Sequence, residues 1–127
     1  MIPVKQTLTD ELYGNCLQAS VASLLDKPLD NVPNFMLFED HWWSALLMWA
    51  GSNGYYVEYI ESEPPEDGKY YVVSLVYEIH KKGLSHAVVL KDGQIAHNPW
   101  VNSHYDNFKY RIDGYYKFIP RAVANAR

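Results

Sequence analysis

The sequence predicts an α+β fold, in which helical segments come first and a mostly antiparallel sheet follows. Apolar residues recur at helical spacing in the first part of the chain, whereas short β-type runs separated by turn residues fill most of the chain after Tyr55. With 127 residues, nearly half of them hydrophobic, the chain is long enough to bury one core but not two. We therefore expect a single domain over residues 1–127.

The first predicted helix begins at the single cysteine of the chain, Cys16, and continues to Leu25. Gly14 permits a tight turn before it, and Asn15 is a favoured N-cap residue. A thiol at a helix start lies beside unpaired backbone N–H groups and the positive end of the helix dipole, which favour the thiolate. We therefore expect Cys16 to have a lowered pKa. The alternative is a buried cysteine that acts as a small hydrophobic residue.

The remaining elements follow in order. A second helix is predicted over residues 39–50, where tryptophan, alanine and leucine recur at helical spacing. The rest of the chain alternates between strands and loops, with strands over 55–60, 70–77 and 115–119, a loop over 78–84 and an aromatic-rich excursion over 101–113.

The most informative strand pair surrounds Asp92-Gly93, a two-residue turn typical of β-hairpins. His86 opens the strand before this turn, and Asn98 closes the strand after it. Since an antiparallel hairpin brings its open ends together, we expect His86 and Asn98 to be neighbours. His97 should point to the opposite face, because side chains alternate along a strand. A helix-start cysteine, a histidine and an amide can act as nucleophile, base and orienting group.

These segments resemble a papain-like cysteine peptidase, and more narrowly the small phage and bacterial members related to the C39 bacteriocin-processing peptidases. The matching pieces occur in order along nearly the whole chain: Gln6 and residues 14–25, 27–35, 85–89 and 97–100. The resemblance implies a papain-like fold, in which the helix that carries the cysteine packs on the sheet that carries the histidine and the asparagine. It implies that Cys16 is the nucleophile and His86 the general base and acid. Asn98 would orient the imidazole, and Gln6 would help to form the oxyanion hole.

Two features depart from that pattern. Relatives of this type often have Asp where this chain has Asn98, although a side-chain carbonyl can still accept the imidazole N–H. Gln6 precedes Cys16 by ten residues, a longer spacing than is usual in papain, so the residues between them must bulge as a loop. The alternative is a surface glutamine. Gln18 is a poorer candidate for the oxyanion hole. It is two positions after Cys16 on the predicted helix, so its side chain points away from that of Cys16.

The resemblance implies a thiol hydrolase that cleaves a peptide or isopeptide bond in a protein or peptide substrate through a thioacyl-enzyme. The same triad would also serve an amidase, a transglutaminase-like enzyme or a thioesterase, and a phage-encoded binding protein could use the fold without turnover. The sequence leaves these alternatives open. Trp100, just past Asn98, either shields the bond between Asn98 and His86 or is an ordinary core aromatic residue.

Charge and composition restrict the other classes of function. The net charge of −4 disfavours nucleic-acid binding as the main activity. One cysteine excludes an internal disulfide and fits a reducing compartment, and no stretch reaches the roughly 18–20 apolar residues that span a bilayer. The N-terminus lacks the apolar run of a signal peptide. We therefore expect a cytoplasmic protein, of a bacterium or a phage-infected host, with no cofactor, no metal and no membrane partner. The oligomeric state stays open.

Overall fold

The predicted α+β class is confirmed by the computed structural model, which describes residues 1–8, 14–79, 82–100 and 109–121. Two α-helices, Cys16–Leu24 (α1) and Trp42–Ser52 (α2), pack on a five-stranded antiparallel sheet. The strands are Tyr55–Ile60 (β1), Tyr70–Ile79 (β2), Lys82–Lys91 (β3), Gln94–His97 (β4) and Tyr110–Pro120 (β5), in the spatial order β1-β5-β2-β3-β4. No helix in these ranges is long and apolar enough to cross a membrane.

Three boundaries differ from the sequence-based expectation. The second helix begins at Trp42 rather than at residue 39, because 3-10 turns over Phe35–His41 precede it and are kinked at Glu39, where φ is 52°. The predicted loop over 78–84 is largely strand, since β2 and β3 continue to pair up to Ile79 and Lys82. The last strand begins at Tyr110, where it pairs with the end of β2. Residues 101–108 of the predicted excursion lie outside the described residues.

The sheet separates two hydrophobic clusters. We call the side covered by α1 and α2 the helix face; its sheet residues are Val57, Val72, Ala87, Val89 and Tyr116. We call the other side the second face; its buried residues are Val73, Leu75, Tyr77, Val88, Leu90 and Tyr115. The alternation along β3 places His86 on the second face and Ala87 on the helix face.

A β-bulge between β3 and β4 decides which face each residue at the end of β4 points to. Leu90 pairs with Ile95, but Val89 pairs with His97, so β4 holds one extra residue at this point. Cross-strand partners share a face of the sheet, and Val89 lies on the helix face. His97 therefore points to the helix face, and Asn98, the next residue, turns to the second face.

Candidate active site

Cys16 is the first residue of α1, as predicted. Asn15 stands at the N-cap position, but its side chain makes no capping hydrogen bond. Its Oδ1 instead accepts the backbone N–H groups of Thr7 at 2.9 Å and Leu8 at 2.7 Å. Asn15 is buried, and its own backbone N–H donates to the Leu8 carbonyl at 3.1 Å. The residue expected to cap the helix thus binds the N-terminal segment to the start of the helix.

Two side chains of α1 bind the backbone of Ala87, the residue after His86. The Ala87 N–H donates to Cys16 Sγ at 3.4 Å, and the Ala87 carbonyl accepts the Ser20 hydroxyl at 3.1 Å. Cys16 and Ser20 are four positions apart and lie on one side of the helix. Because pairing with β4 ends at His97, the edge of β3 that faces away from β2 meets the helix at this point. The Cys16 thiol is therefore bound to the backbone of the residue that follows His86 in the sequence.

The predicted proximity of His86 and Asn98 is confirmed. His86 is only 3% exposed, and its Nε2 lies 2.7 Å from Asn98 Oδ1. The same Oδ1 accepts the backbone N–H of Trp100 at 3.1 Å, which identifies it as an acceptor. His86 Nε2 therefore carries the proton, and in the neutral ring Nδ1 has the free lone pair. In this tautomer Nδ1 can accept a proton, as the nitrogen of a general base must.

Aromatic rings surround the imidazole on the second face. The Trp100 ring stacks on His86, with centroids 3.7 Å apart and planes inclined by 13°. Tyr77 of β2 lies 6.2 Å from the His86 ring and 5.1 Å from the Trp100 ring. Trp100 therefore covers one side of the bonded imidazole, which keeps water from that side.

Burial dominates the protonation of both groups. It lowers the pKa of His86 to about 4, against the smaller opposing effect of the Asn98 hydrogen bond. It also raises the pKa of the Cys16 thiol, although backbone N–H groups of Ala87, Leu17 and Cys16 favour the thiolate. The lowered thiol pKa expected from the helix start is therefore wrong, because desolvation outweighs the helix N-terminus. Near neutral pH the site holds a neutral thiol and a neutral imidazole.

No hydrogen bond among the described residues joins the Cys16 sulfur to the His86 ring. The partner of Sγ is the Ala87 N–H, and the partner of the ring is the Asn98 amide through Nε2. The ring nitrogen that Asn98 does not use is Nδ1. A proton transfer between the thiol and the imidazole would therefore involve Nδ1.

Gln6 lies beside the helix start, and the surface-glutamine alternative is wrong. Gln6 is 3% exposed, and its Nε2 donates to the Leu8 carbonyl at 2.8 Å. The Asn15 N–H binds the same carbonyl, which brings the Gln6 amide next to the residue before Cys16. Gln6 Oε1 is also buried. Among the described residues it is the one buried side-chain oxygen or nitrogen without a hydrogen-bond partner.

The other candidate side chains have structural partners. His97 is buried on the helix face, with Nε2 2.7 Å from the Val4 carbonyl, so the prediction that it points away from Asn98 is confirmed. The Gln18 amide donates to the carbonyls of Leu29 at 3.1 Å and Val32 at 2.6 Å, away from the thiol as expected.

Neither Ser20 nor Lys5 is among the site residues that the sequence predicts. Ser20 had one available signal, its spacing of four residues from Cys16 on the predicted helix. Lys5 had none, because its Nζ donates to the backbone carbonyls of Asn98 at 3.1 Å and Trp100 at 2.9 Å, more than ninety positions away. Backbone partners at that distance leave no pattern in the sequence.

Comparisons with family models, with curated proteins and with solved structures find nothing that matches this chain. In the part of the chain that the structure describes, no group of three His, Cys, Asp or Glu residues is placed to hold a metal ion. What the arrangement offers is a thiol at a helix start, a buried imidazole of defined tautomer and an amide that fixes the imidazole. These groups are suited to nucleophilic attack on a carbonyl carbon.

Proposed function

We propose that this chain is a papain-like cysteine-dependent hydrolase that cleaves a peptide or isopeptide bond in a protein or peptide substrate. The observation that carries the proposal is the 2.7 Å bond between His86 Nε2 and Asn98 Oδ1. It leaves Nδ1 as the basic nitrogen, one residue from the Ala87 N–H that binds the Cys16 sulfur. Nucleophile, base and orienting group thus come from α1, β3 and the residues after β4.

Attack begins from the neutral pair. His86 Nδ1 takes the thiol proton as the Cys16 sulfur forms a bond to the substrate carbonyl carbon, and the carbonyl electrons move onto oxygen. The Ala87 N–H stabilises the charge on sulfur while the proton moves. The hydrogen bond to Asn98 favours the imidazolium that forms, since the carbonyl oxygen accepts its Nε2–H.

The second half of the reaction reverses the proton transfer. The imidazolium of His86 gives its proton to the leaving amine, the carbon–nitrogen bond breaks, and a thioester on Cys16 remains. Water then attacks the thioester, with His86 as its base, and the carbon–sulfur bond breaks to release a carboxylic acid. The proton returns to sulfur, so the cycle consumes one water and needs no cofactor.

The negative oxygen formed on attack needs hydrogen-bond donors that are already in place. The backbone N–H of Cys16 is at the first turn of α1, where such groups have no intrahelical partner. Gln6 is the second donor, because its Nε2 has two hydrogens and the Leu8 carbonyl takes one. The burial of Gln6 beside the helix start supports this role.

Intact-protein mass spectrometry with a panel of electrophilic acyl probes tests the proposal. The panel contains peptidyl, simple amide and thioester probes, and each is applied to the wild-type chain, Cys16→Ala, His86→Ala and Asn98→Ala. We expect a single peptidyl adduct on Cys16, none with Cys16→Ala or His86→Ala, and slower formation with Asn98→Ala.

His97→Gln is the matched control, because it removes a second buried histidine while a glutamine amide can still donate to the Val4 carbonyl. It should be labelled at the wild-type rate. Labelling by thioester or simple amide probes but not by peptidyl probes would replace the peptidase with another acyl-transfer activity. A wild-type chain that none of the probes acylates would contradict the proposal.

A further inference from the structure

We propose that Lys5 is a positioning residue for the base of this site, and that its ammonium group holds the loop with Asn98 and Trp100 against His86. The inference rests on the function proposed above. Lys5 Nζ donates to the Asn98 carbonyl at 3.1 Å and to the Trp100 carbonyl at 2.9 Å. One side chain therefore binds both the residue that orients the imidazole and the residue that covers it.

The loop after β4 depends on such contacts because it lies beyond the paired part of the strand. Pro99 has no backbone N–H, and the N–H of Trp100 is used on the Asn98 side chain. Two adjacent residues bind the three successive carbonyls of the loop. Lys5 Nζ donates to the carbonyls of residues 98 and 100, and the Gln6 N–H donates to the Pro99 carbonyl at 2.9 Å. Lys5 supplies two of these three bonds.

Lys5 can hold the loop because the segment around it is itself fixed to α1. On one side of Lys5, the Val4 N–H donates to the Ser23 hydroxyl at 2.8 Å. On the other side, the Thr7 N–H donates to Asn15 Oδ1 at 2.9 Å. Residues 4–8 therefore connect the helix that carries the thiol with the loop that orients the base.

Removal of the Lys5 ammonium should change the surroundings of the imidazole without unfolding the chain. Lys5 is exposed and buries no core surface, and the Gln6 bond to Pro99 remains. A loosened loop weakens the contacts of Asn98 and Trp100 with the ring and admits water. Desolvation is what lowers the pKa of His86 to about 4, so this pKa should rise toward its ordinary value near 6.5.

The test combines a titration with a rate. The His86 ring nitrogens are followed by NMR against pH in the wild-type chain, Lys5→Met, Lys5→Arg and the control Lys117→Met, which changes an exposed lysine on β5. In Lys5→Met we expect the pKa of His86 to rise by about one unit. We expect acylation of Cys16 by a peptidyl probe to slow about 3- to 10-fold. Lys5→Arg should restore both, because it still offers donors to both carbonyls, and Lys117→Met should resemble the wild type.

Two results would overturn the inference. An unchanged His86 titration in Lys5→Met, even with a lowered melting temperature, would make Lys5 a merely stabilising residue. A pKa shift that disappears at high ionic strength would come from the lost positive charge, since salt screens an exposed charge but does not restore a lost contact. If the wild-type chain reacts with no acyl probe, the hydrolase proposal fails, while the titration, which needs no turnover, still decides whether Lys5 positions His86.

Discussion

Two buried histidines on neighbouring strands resemble each other in their burial and in one short hydrogen bond of the ring. His86 is 3% exposed and His97 is 8% exposed, and in each the Nε2 atom lies 2.7 Å from an oxygen. They differ in what surrounds the ring. His86 is bonded to a side-chain amide, stacked under Trp100 and adjacent in sequence to the backbone group that binds the thiol. His97 donates to a backbone carbonyl and ties the N-terminal segment to the sheet.

The comparison shows that burial and one short hydrogen bond do not identify a catalytic base. The informative feature is the second ring nitrogen. At His86 the amide of Asn98 occupies Nε2 and leaves Nδ1 as the basic atom of the ring. In measurements of turnover, only one of the two histidines, and only one of the pair Gln6 and Gln18, should therefore respond.

The largest expected effect is on turnover. His86→Ala should lower kcat/KM by a factor on the order of 10³–10⁶, and Cys16→Ala combined with it should add little, because the two residues act as one unit. His97→Gln should stay within about threefold of the wild type, since its amide still donates to Val4. Steady-state kinetics on a substrate found with the acyl probes measures these ratios. Equal losses at the two histidines would mean that both are structural.

A smaller loss is expected at Gln6. Gln6→Ala should reduce kcat by a factor on the order of 10²–10³ if its Nε2 faces the oxyanion. Gln18→Ala is the matched comparison, because Gln18 binds the carbonyls of Leu29 and Val32 and should affect the melting temperature rather than the rate. The two variants are compared by kcat and by thermal melting. A Gln6→Ala chain with wild-type kcat would remove this residue from the oxyanion hole.

The dependence of stability on pH should also report His86. Its pKa is about 4 in the folded chain and near 6.5 when unfolded, so the unfolded state binds more protons between these values. The free energy of unfolding should therefore decrease as the pH falls from about 6.5 to 4, by about 3 kcal/mol from this residue. Urea unfolding at a series of pH values measures the slope. His86→Gln should flatten it, and an identical slope in that variant would show that other groups cause it.

The smallest effect is a shift in the reactivity of the thiol. Because burial raises the pKa of Cys16, the alkylation rate with iodoacetamide should increase with a midpoint above about 8.5, the ordinary value of a free thiol. Cys16→Ala serves as the blank. His86→Gln should leave the midpoint nearly unchanged, because the ring is neutral at that pH. A plateau of reactivity at neutral pH that is lost in His86→Gln would instead indicate a preformed thiolate–imidazolium pair.

The local part of the site could be predicted from the sequence. The helix start at Cys16 and the turn at Asp92-Gly93 depend on residues within a few positions, and both are present as expected. The turn has backbone angles that its residues suit, with a φ of 50° at Asp92 and 78° at Gly93. This hairpin brings the strand ends at His86 and Asn98 together, and the bulge at Ala96, which the sequence did not predict, turns Asn98 to the face of His86.

The remainder depends on contacts between distant parts of the chain. The pKa of Cys16 is set by burial against the sheet, which outweighs the local effect of the helix start. Ile79 and Lys82 pair with each other although the sequence near them has few strand signals. The position of Gln6 depends on the Leu8 carbonyl, which the Asn15 N–H also binds. None of these interactions has a fixed spacing that a sequence pattern could show.

The bulge in β4 makes the site tolerant of a change in the length of one strand. Ala96 is the residue that the regular ladder leaves over, between the pairs of Ile95 and His97. A genetic deletion of this one codon would restore regular pairing with His97 still opposite Val89. His97 would therefore stay on the helix face, and Asn98 would stay on the second face. A lineage could thus lose Ala96 and keep the amide beside His86, so a chain without Ala96 should fold and still acquire the peptidyl adduct.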